Sequence, residues 1–289
     1  MPTAPANGID LVYETQGDPA DRPLLLVMGL GAQLTAWPEG FVDRLVDQGF
    51  YVICYDNRDS GLSTKFWGTP DVLALFSGDT SSAPYFIEDM ADDGVALLDQ
   101  LGIDRAHVVG ASMGGMIIQA MVINHPGHFL SACSIMSTTG NREVGAPTAD
   151  AMTALMRPPA ATREEAIEGS VAGSRIIGSP GYPESEEAIR ARAAAAYDRS
   201  FCPEGTVRQL AAILASPDRT EGLRQVAMPF LVIHGESDPL VTPSGGAATA
   251  DAVPDAKLLT FPGVGHDLPE ALWGEMIDAI VANIELATA

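Results

Sequence analysis

The chain has 289 residues, and its hydrophobic fraction of 46% is enough for a large core and too much for extended disorder. Its net charge is −22, from 38 acidic and 16 basic residues. A surface this acidic repels phosphate backbones, which excludes nucleic acid as an expected partner and disfavours strongly anionic substrates.

The first eight residues carry no basic region and no apolar run, so no signal peptide is expected. Residues 24–28 are a short apolar run followed by glycines, which predicts a buried strand. Residues 41–50 have helical spacing that stops at Gly49. Residues 51–55 predict a second buried strand, closed by the turn-forming pair Asp56-Asn57. A helix follows over 86–101, then a third strand over 106–109 and a helix over 113–124, ended by His125-Pro126. Residues 129–136 are a fourth strand.

Strand and helix in strict alternation predict a parallel sheet covered on both faces. Such strands read as unbroken apolar runs because both of their faces are buried. The pattern returns with strands at 229–234 and 257–261 and a closing helix over 270–286. In between the alternation stops. Helical patterns at 149–156, 163–173, 184–197 and 206–214 are separated by breaks such as Pro158-Pro159 and Pro180-Gly-Tyr-Pro183. These divide the chain into a first core part (1–139), a helical insertion (140–225) and a second core part (226–289). An insertion of this kind is expected over the carboxyl ends of the strands, where ligands bind.

Gly110-Ala-Ser112-Met-Gly114 matches a nucleophile elbow, G-x-S-x-G. A strand runs straight into it and a helix leaves it, so Ser112 is expected on a tight, strained turn. A serine hydroxyl needs a base to take its proton. Of five histidines, His266 stands in a glycine loop, Phe261-Pro-Gly-Val-Gly-His266, between a strand and the last helix, from which it can reach back over the serine. The base needs an acid to fix its tautomer. Asp238, in the loop after the strand at 229–234, is preferred over Glu236, which is expected to face solvent. The chain order Ser, Asp, His suits an α/β-hydrolase. The N–H of Met113 and, from Met28-Gly29-Leu30-Gly31, that of Leu30 are candidate oxyanion donors. Gly29, Met152 and Met156 are candidate substrate-binding residues, with Ile176, Ile177 and Tyr182 as further apolar lining.

With these residues the chain resembles the α/β-hydrolase superfamily over essentially its full length, and within it the aclacinomycin methylesterase-like esterases. The resemblance rests on residues 24–29, Trp37-Pro38, residues 55–61, residues 107–114, Asp238-Pro239 and residues 262–266. It implies an α/β-hydrolase fold, a mostly parallel central sheet flanked by helices, with a helical cap after the sixth strand. It also implies Ser112 as nucleophile, Asp238 and His266 as its partners, and Leu30 and Met113 as oxyanion donors. The chain departs from most superfamily members in having Met28 in place of a histidine and Asp59 in place of a glycine after the turn arginine. Both changes occur in the methylesterase-like group.

The expected function is carboxylic-ester hydrolysis through an acyl-enzyme, on small to medium, neutral, fairly apolar esters. An enol-lactonase, a carbon–carbon bond hydrolase or a perhydrolase would carry the same triad, and a ligand-sensing relative without turnover is the non-enzymatic alternative. Three widely spaced cysteines, Cys54, Cys133 and Cys202, suggest neither a disulfide framework nor a zinc site. No metal or organic cofactor is expected. The partner is a small-molecule ester, with no nucleic acid and no membrane, and a cytoplasmic location is expected.

Overall fold

A computed structural model describes residues 1–287. The chain opens with a hairpin of β1 (Thr3–Ala6) and β2 (Ile9–Gln16), turned by Asn7 and Gly8. Both turn residues have positive φ, 49° and 77°, as a two-residue hairpin loop requires. Then come β3 (Arg22–Val27), α1 (Glu39–Asp47), β4 (Phe50–Tyr55), α2 (Val72–Phe76), α3 (Ile87–Gln100), β5 (Ala106–Ala111), α4 (Met113–Asn124) and β6 (Phe129–Ile135). The helices α5 (Ala149–Leu155), α6 (Arg163–Ile177), α7 (Glu186–Arg199), α8 (Pro203–Ala215) and α9 (Thr220–Leu223) separate β6 from β7 (Phe230–Gly235). The chain closes with α10 (Ser244–Ala252), β8 (Lys257–Phe261) and α11 (Trp273–Glu285).

The eight strands form one sheet in the order β1-β2-β4-β3-β5-β6-β7-β8. All pairings from β4 to β8 are parallel, while β1 and β2 run antiparallel at one edge. Alternate residues of the central strands feed two separate cores. Leu25, Val27, Ile53 and Val108 pack with α3 and α4 on one face. Leu24, Leu26, Val52 and Val109 pack with α1 and α11 on the other. This two-sided burial is why the central strands read as largely apolar runs. Cys54 and Cys133 lie in these cores as free thiols, pushed far up in pKa by burial, and are chemically inert.

The expected strands and helices are present with small shifts in their ends. Helix α1 stops at Asp47 rather than running to residue 50, because Gly49 (φ 77°) turns the chain into β4. The hairpin β1–β2 and the helices α2, α9 and α10 were not expected. The hairpin makes β6 the sixth strand, so the helical stretch follows that strand, as the resemblance implied. Thr148, Thr162 and Ser185 start α5, α6 and α7 by accepting hydrogen bonds from the N–H groups of Ala151, Glu165 and Ala188. Each such cap contributes about 1 kcal/mol. No helix among the described residues is long and apolar enough to cross a membrane.

Candidate active site

Ser112 sits between the last residue of β5 and the first of α4, with φ 56° and ψ −120°. A non-glycine residue in this conformation costs about 1–3 kcal/mol and persists only when its surroundings hold it. Here Ser112 N–H donates to the Ile135 carbonyl (2.9 Å) and Ser137 Oγ donates to the Ser112 carbonyl (2.8 Å). The flanking glycines are required for space. A Cβ on Gly110 would overlap the Gly114 carbonyl, and one on Gly114 would overlap the carbonyl of Val27.

The loop after β8 carries His266 to Ser112. Its Nε2 is 2.9 Å from Ser112 Oγ, and its Nδ1 is 2.7 Å from Asp238 Oδ2. An ionised carboxylate can only accept, so Nδ1 donates to Asp238 and Nε2 is left to accept the serine hydroxyl proton. Asp238 is held from several sides. Leu240 and Val241 N–H donate to its Oδ1 at 2.8 and 3.0 Å, and the buried His234 ring approaches its Oδ2 at 3.5 Å. Burial pushes this carboxyl upward. The hydrogen bonds from His234, His266 and the backbone, with the charge of His266, outweigh burial and hold it at about 2. Glu236 is exposed, and its Oε1 accepts from Thr260 Oγ1 instead. The other three histidines bond elsewhere: His107 to Ser131, His125 to Asp92 and His128 to Asp99.

The main-chain loop after β3 crosses directly over the serine. A Cβ on Gly29 would lie 3.0 Å from Ser112 Cβ and 3.5 Å from its Oγ. Among the described residues the N–H groups of Leu30 and Met113 have no protein acceptor. Two free N–H groups flanking a serine can receive a developing oxyanion.

A cavity of about 1000 Å³ opens onto Ser112 and His266. Its walls include Gly29 and Leu30 from the β3 loop, Ala151, Ala154 and Leu155 from α5, and Ile177, Tyr182 and Ala188 from α6, α7 and the segment joining them. Met152 and Met156 lie elsewhere. With Ile176 they line a separate cavity of about 470 Å³. The helical period explains this, because positions 151 and 155 of α5 share a face from which 152 and 156 are turned away. Among the described residues no group of three His, Cys, Asp or Glu side chains could hold a metal ion.

Sequence reasoning overlooked how the helices of residues 186–215 grip the turn after β4. Arg199 pairs with Asp56 (2.8 Å) and Arg208 with Asp59 (2.8 Å), while Arg58 of the same turn pairs with Asp93 on α3 (2.7 Å). Tyr85 donates its hydroxyl to Asp59 (2.7 Å), and burial, then the Asp59 charge, push that hydroxyl far above its ordinary pKa. A signal was present in Asp56-Asn-Arg-Asp59, an unusually charged turn directly after a buried strand.

A family model described as the alpha/beta hydrolase fold matches residues 22–179, and one described as TAP-like protein matches residues 192–273. The rhodomycin D methylesterase of Streptomyces sp. (strain C5) is 30% identical over 97% of this chain and 96% of its own. The 3-oxoadipate enol-lactonase 2 of Acinetobacter baylyi is 29% identical over 84% of this chain and 82% of its own. Among solved structures, the enol-lactonase from Burkholderia xenovorans LB400 superposes with a TM-score of 0.78 at 24% identity, over 98% of this chain and all of that one. The chain belongs to the α/β-hydrolase fold family and is a hydrolytic enzyme.

Proposed function

We propose that the enzyme is a carboxylic-ester hydrolase that works through an acyl-enzyme on Ser112. The observation that carries this reading is the unbroken hydrogen-bond chain from Ser112 Oγ through His266 to Asp238, at 2.9 and 2.7 Å, on the wall of an apolar cavity. His266 Nε2 takes the hydroxyl proton as Ser112 Oγ attacks the ester carbonyl carbon. The carbonyl oxygen becomes an oxyanion between the N–H groups of Leu30 and Met113. The imidazolium then gives its proton to the departing alcohol. Water enters, loses a proton to His266 and attacks the acyl carbon, releasing the acid and restoring Ser112. Asp238 keeps the imidazole in the required tautomer and stabilises its charged form.

The largely apolar lining supports neutral, fairly apolar esters, and Arg192, which also lies on the wall, is paired with Glu184. The likeness to a methylesterase supports a small alcohol group. We also read residues 140–225 as a cap, because helices of this stretch supply much of the cavity wall. An enol-lactonase reading is favoured by one observation, the 29% identity to such an enzyme. Lactones are cyclic esters and would pass through the same steps.

The test is hydrolysis of p-nitrophenyl esters from acetate to laurate, beside a Ser112→Ala variant. Turnover in the parent with a loss of about a millionfold in the variant is expected. Ester turnover that survives Ser112→Ala would overturn the mechanism. Silence on all chain lengths, with lactone opening that depends on Ser112, would move the assignment to the lactonase reading.

A further inference from the structure

The loop that carries Leu30 is held in place from α8. Gln209, in the second turn of that helix and fully buried, accepts the Gly31 N–H at its Oε1 (2.7 Å). Its Nε2 donates to the Arg58 carbonyl (2.7 Å). Because one end of the amide must accept and the other must donate, these two partners fix its orientation. Arg58 is itself immobile, since its guanidinium is paired with buried Asp93 at 2.7 Å through both Nε and Nη2. Gln209 therefore ties Gly31 to a rigid part of the core.

The loop conformation depends on that tie. Residues 29–32 form a turn closed by Ala32 N–H to the Gly29 carbonyl (3.2 Å), with Gly31 at φ 67°. The Gly29 carbonyl points into the turn, so the Leu30 N–H on the opposite side of the same peptide points out of it. The Leu30–Gly31 peptide in the middle of the turn has its N–H claimed by Gln209. Thr206, one turn earlier on α8, closes off the space above Gly31, with its Oγ1 only 2.7 Å from where a Cβ would stand. Without the Gln209 acceptor the central peptide is free to rotate, and the neighbouring Leu30 N–H samples directions other than the one the turn fixes.

We infer that Gln209 is a positioning residue for oxyanion stabilisation, acting through the Gly31 peptide to aim the Leu30 N–H at the substrate carbonyl oxygen. This rests on the reading of Leu30 as an oxyanion donor in an ester hydrolase. Removing such a donor outright costs about a hundredfold to a thousandfold in kcat. Leaving it present but loosely aimed costs less, about tenfold to a hundredfold.

The experiment compares Gln209→Met, which keeps volume but loses both hydrogen bonds, and Gln209→Asn, whose shorter amide cannot span both partners, with the parent and with Ser112→Ala. Kinetics on p-nitrophenyl butyrate are measured together with inhibition by an alkyl trifluoromethyl ketone, which forms a tetrahedral adduct on a reactive serine. The expected result for Gln209→Met is kcat reduced tenfold to a hundredfold, with KM within threefold. Affinity for the ketone should weaken by the same factor as kcat/KM, and Gln209→Asn should fall in the same direction. If Gln209→Met does not fold, Gln209→Asn decides by the same criteria. A folded variant with kcat within threefold of the parent overturns the inference, as does a loss of kcat with ketone affinity unchanged. Both would leave the esterase reading intact so long as Ser112→Ala is inactive. Activity in Ser112→Ala would instead overturn that reading and this inference with it.

Discussion

Arg208 on α8 meets Asp59 in the turn after β4 as a two-pronged pair, Nε to Oδ2 at 2.9 Å and Nη2 to Oδ1 at 2.8 Å. Both side chains are buried, and Asp59 has φ 66°. This is the position where most of the superfamily has glycine, and the positive φ supplies the physical reason for that preference. Here an aspartate accepts the backbone cost and holds a helix of the inserted stretch against the core.

That pairing makes a stability prediction. Arg208→Met strands the Asp59 charge in a buried site and should cost about 3–5 kcal/mol. The double variant Arg208→Met with Asp59→Gly removes the stranded charge and the strained φ together, and should be more stable than Arg208→Met alone. Urea unfolding at pH 7 measures both. Equal stability of the single and double variants would contradict the charge argument.

On the proposed mechanism, Asp238 links catalysis to acid stability. Asp238→Asn keeps the shape of the side chain but favours the wrong histidine tautomer, so kcat should drop about 10⁴-fold. The carboxyl lies at about 2 in the folded protein against an ordinary value of 3.8. The folded state thus binds the proton less readily than the unfolded chain. The resulting stabilisation is fully present above pH 4, amounts to about 2 kcal/mol, and is lost as pH falls through about 2. The difference in unfolding free energy between parent and Asp238→Asn should therefore narrow between pH 4 and pH 2. A gap that stays constant over that window would mean Asp238 has no such depressed pKa.

The cavity makes a specificity prediction. Ala188 on α7 lines it, and Ala188→Trp places a large ring in the space available for the substrate. Each methylene buried in an apolar pocket is worth about 1–3 kcal/mol of discrimination. The kcat/KM for p-nitrophenyl laurate should fall at least tenfold, while that for the acetate stays within about threefold. Uniform loss on both esters would place the bound chain elsewhere.

The alternating architecture was legible in the chain because parallel strands buried on both faces must be apolar throughout, and the two cores bear this out at Leu24 to Val27. The elbow was legible because the overlap at Gly110 and Gly114 admits no side chain. The first hairpin was overlooked. Strand β1 has only four residues and β2, although eight residues long, is buried only at Leu11 and Val12, so only the Asn7-Gly8 pair marked it.

Residue types and local turn chemistry therefore narrowed the chemistry to one serine, one histidine and one aspartate, since each stands in a turn or loop directly after a strand that a short stretch of sequence marks, although His266 and Ser112 meet across 154 residues. Which side chains face the cavity depended on helix phase and on packing between distant segments. Met152 and Met156 suit an apolar wall by composition, yet α5 turns them away while Ala151 and Leu155 face in. The same holds for Gln209, which lies 178 residues from Gly31 along the chain and meets it only because α8 packs against the β3 loop. Contacts at that separation are set by how helices pack on the sheet, and no local pattern of residues encodes them.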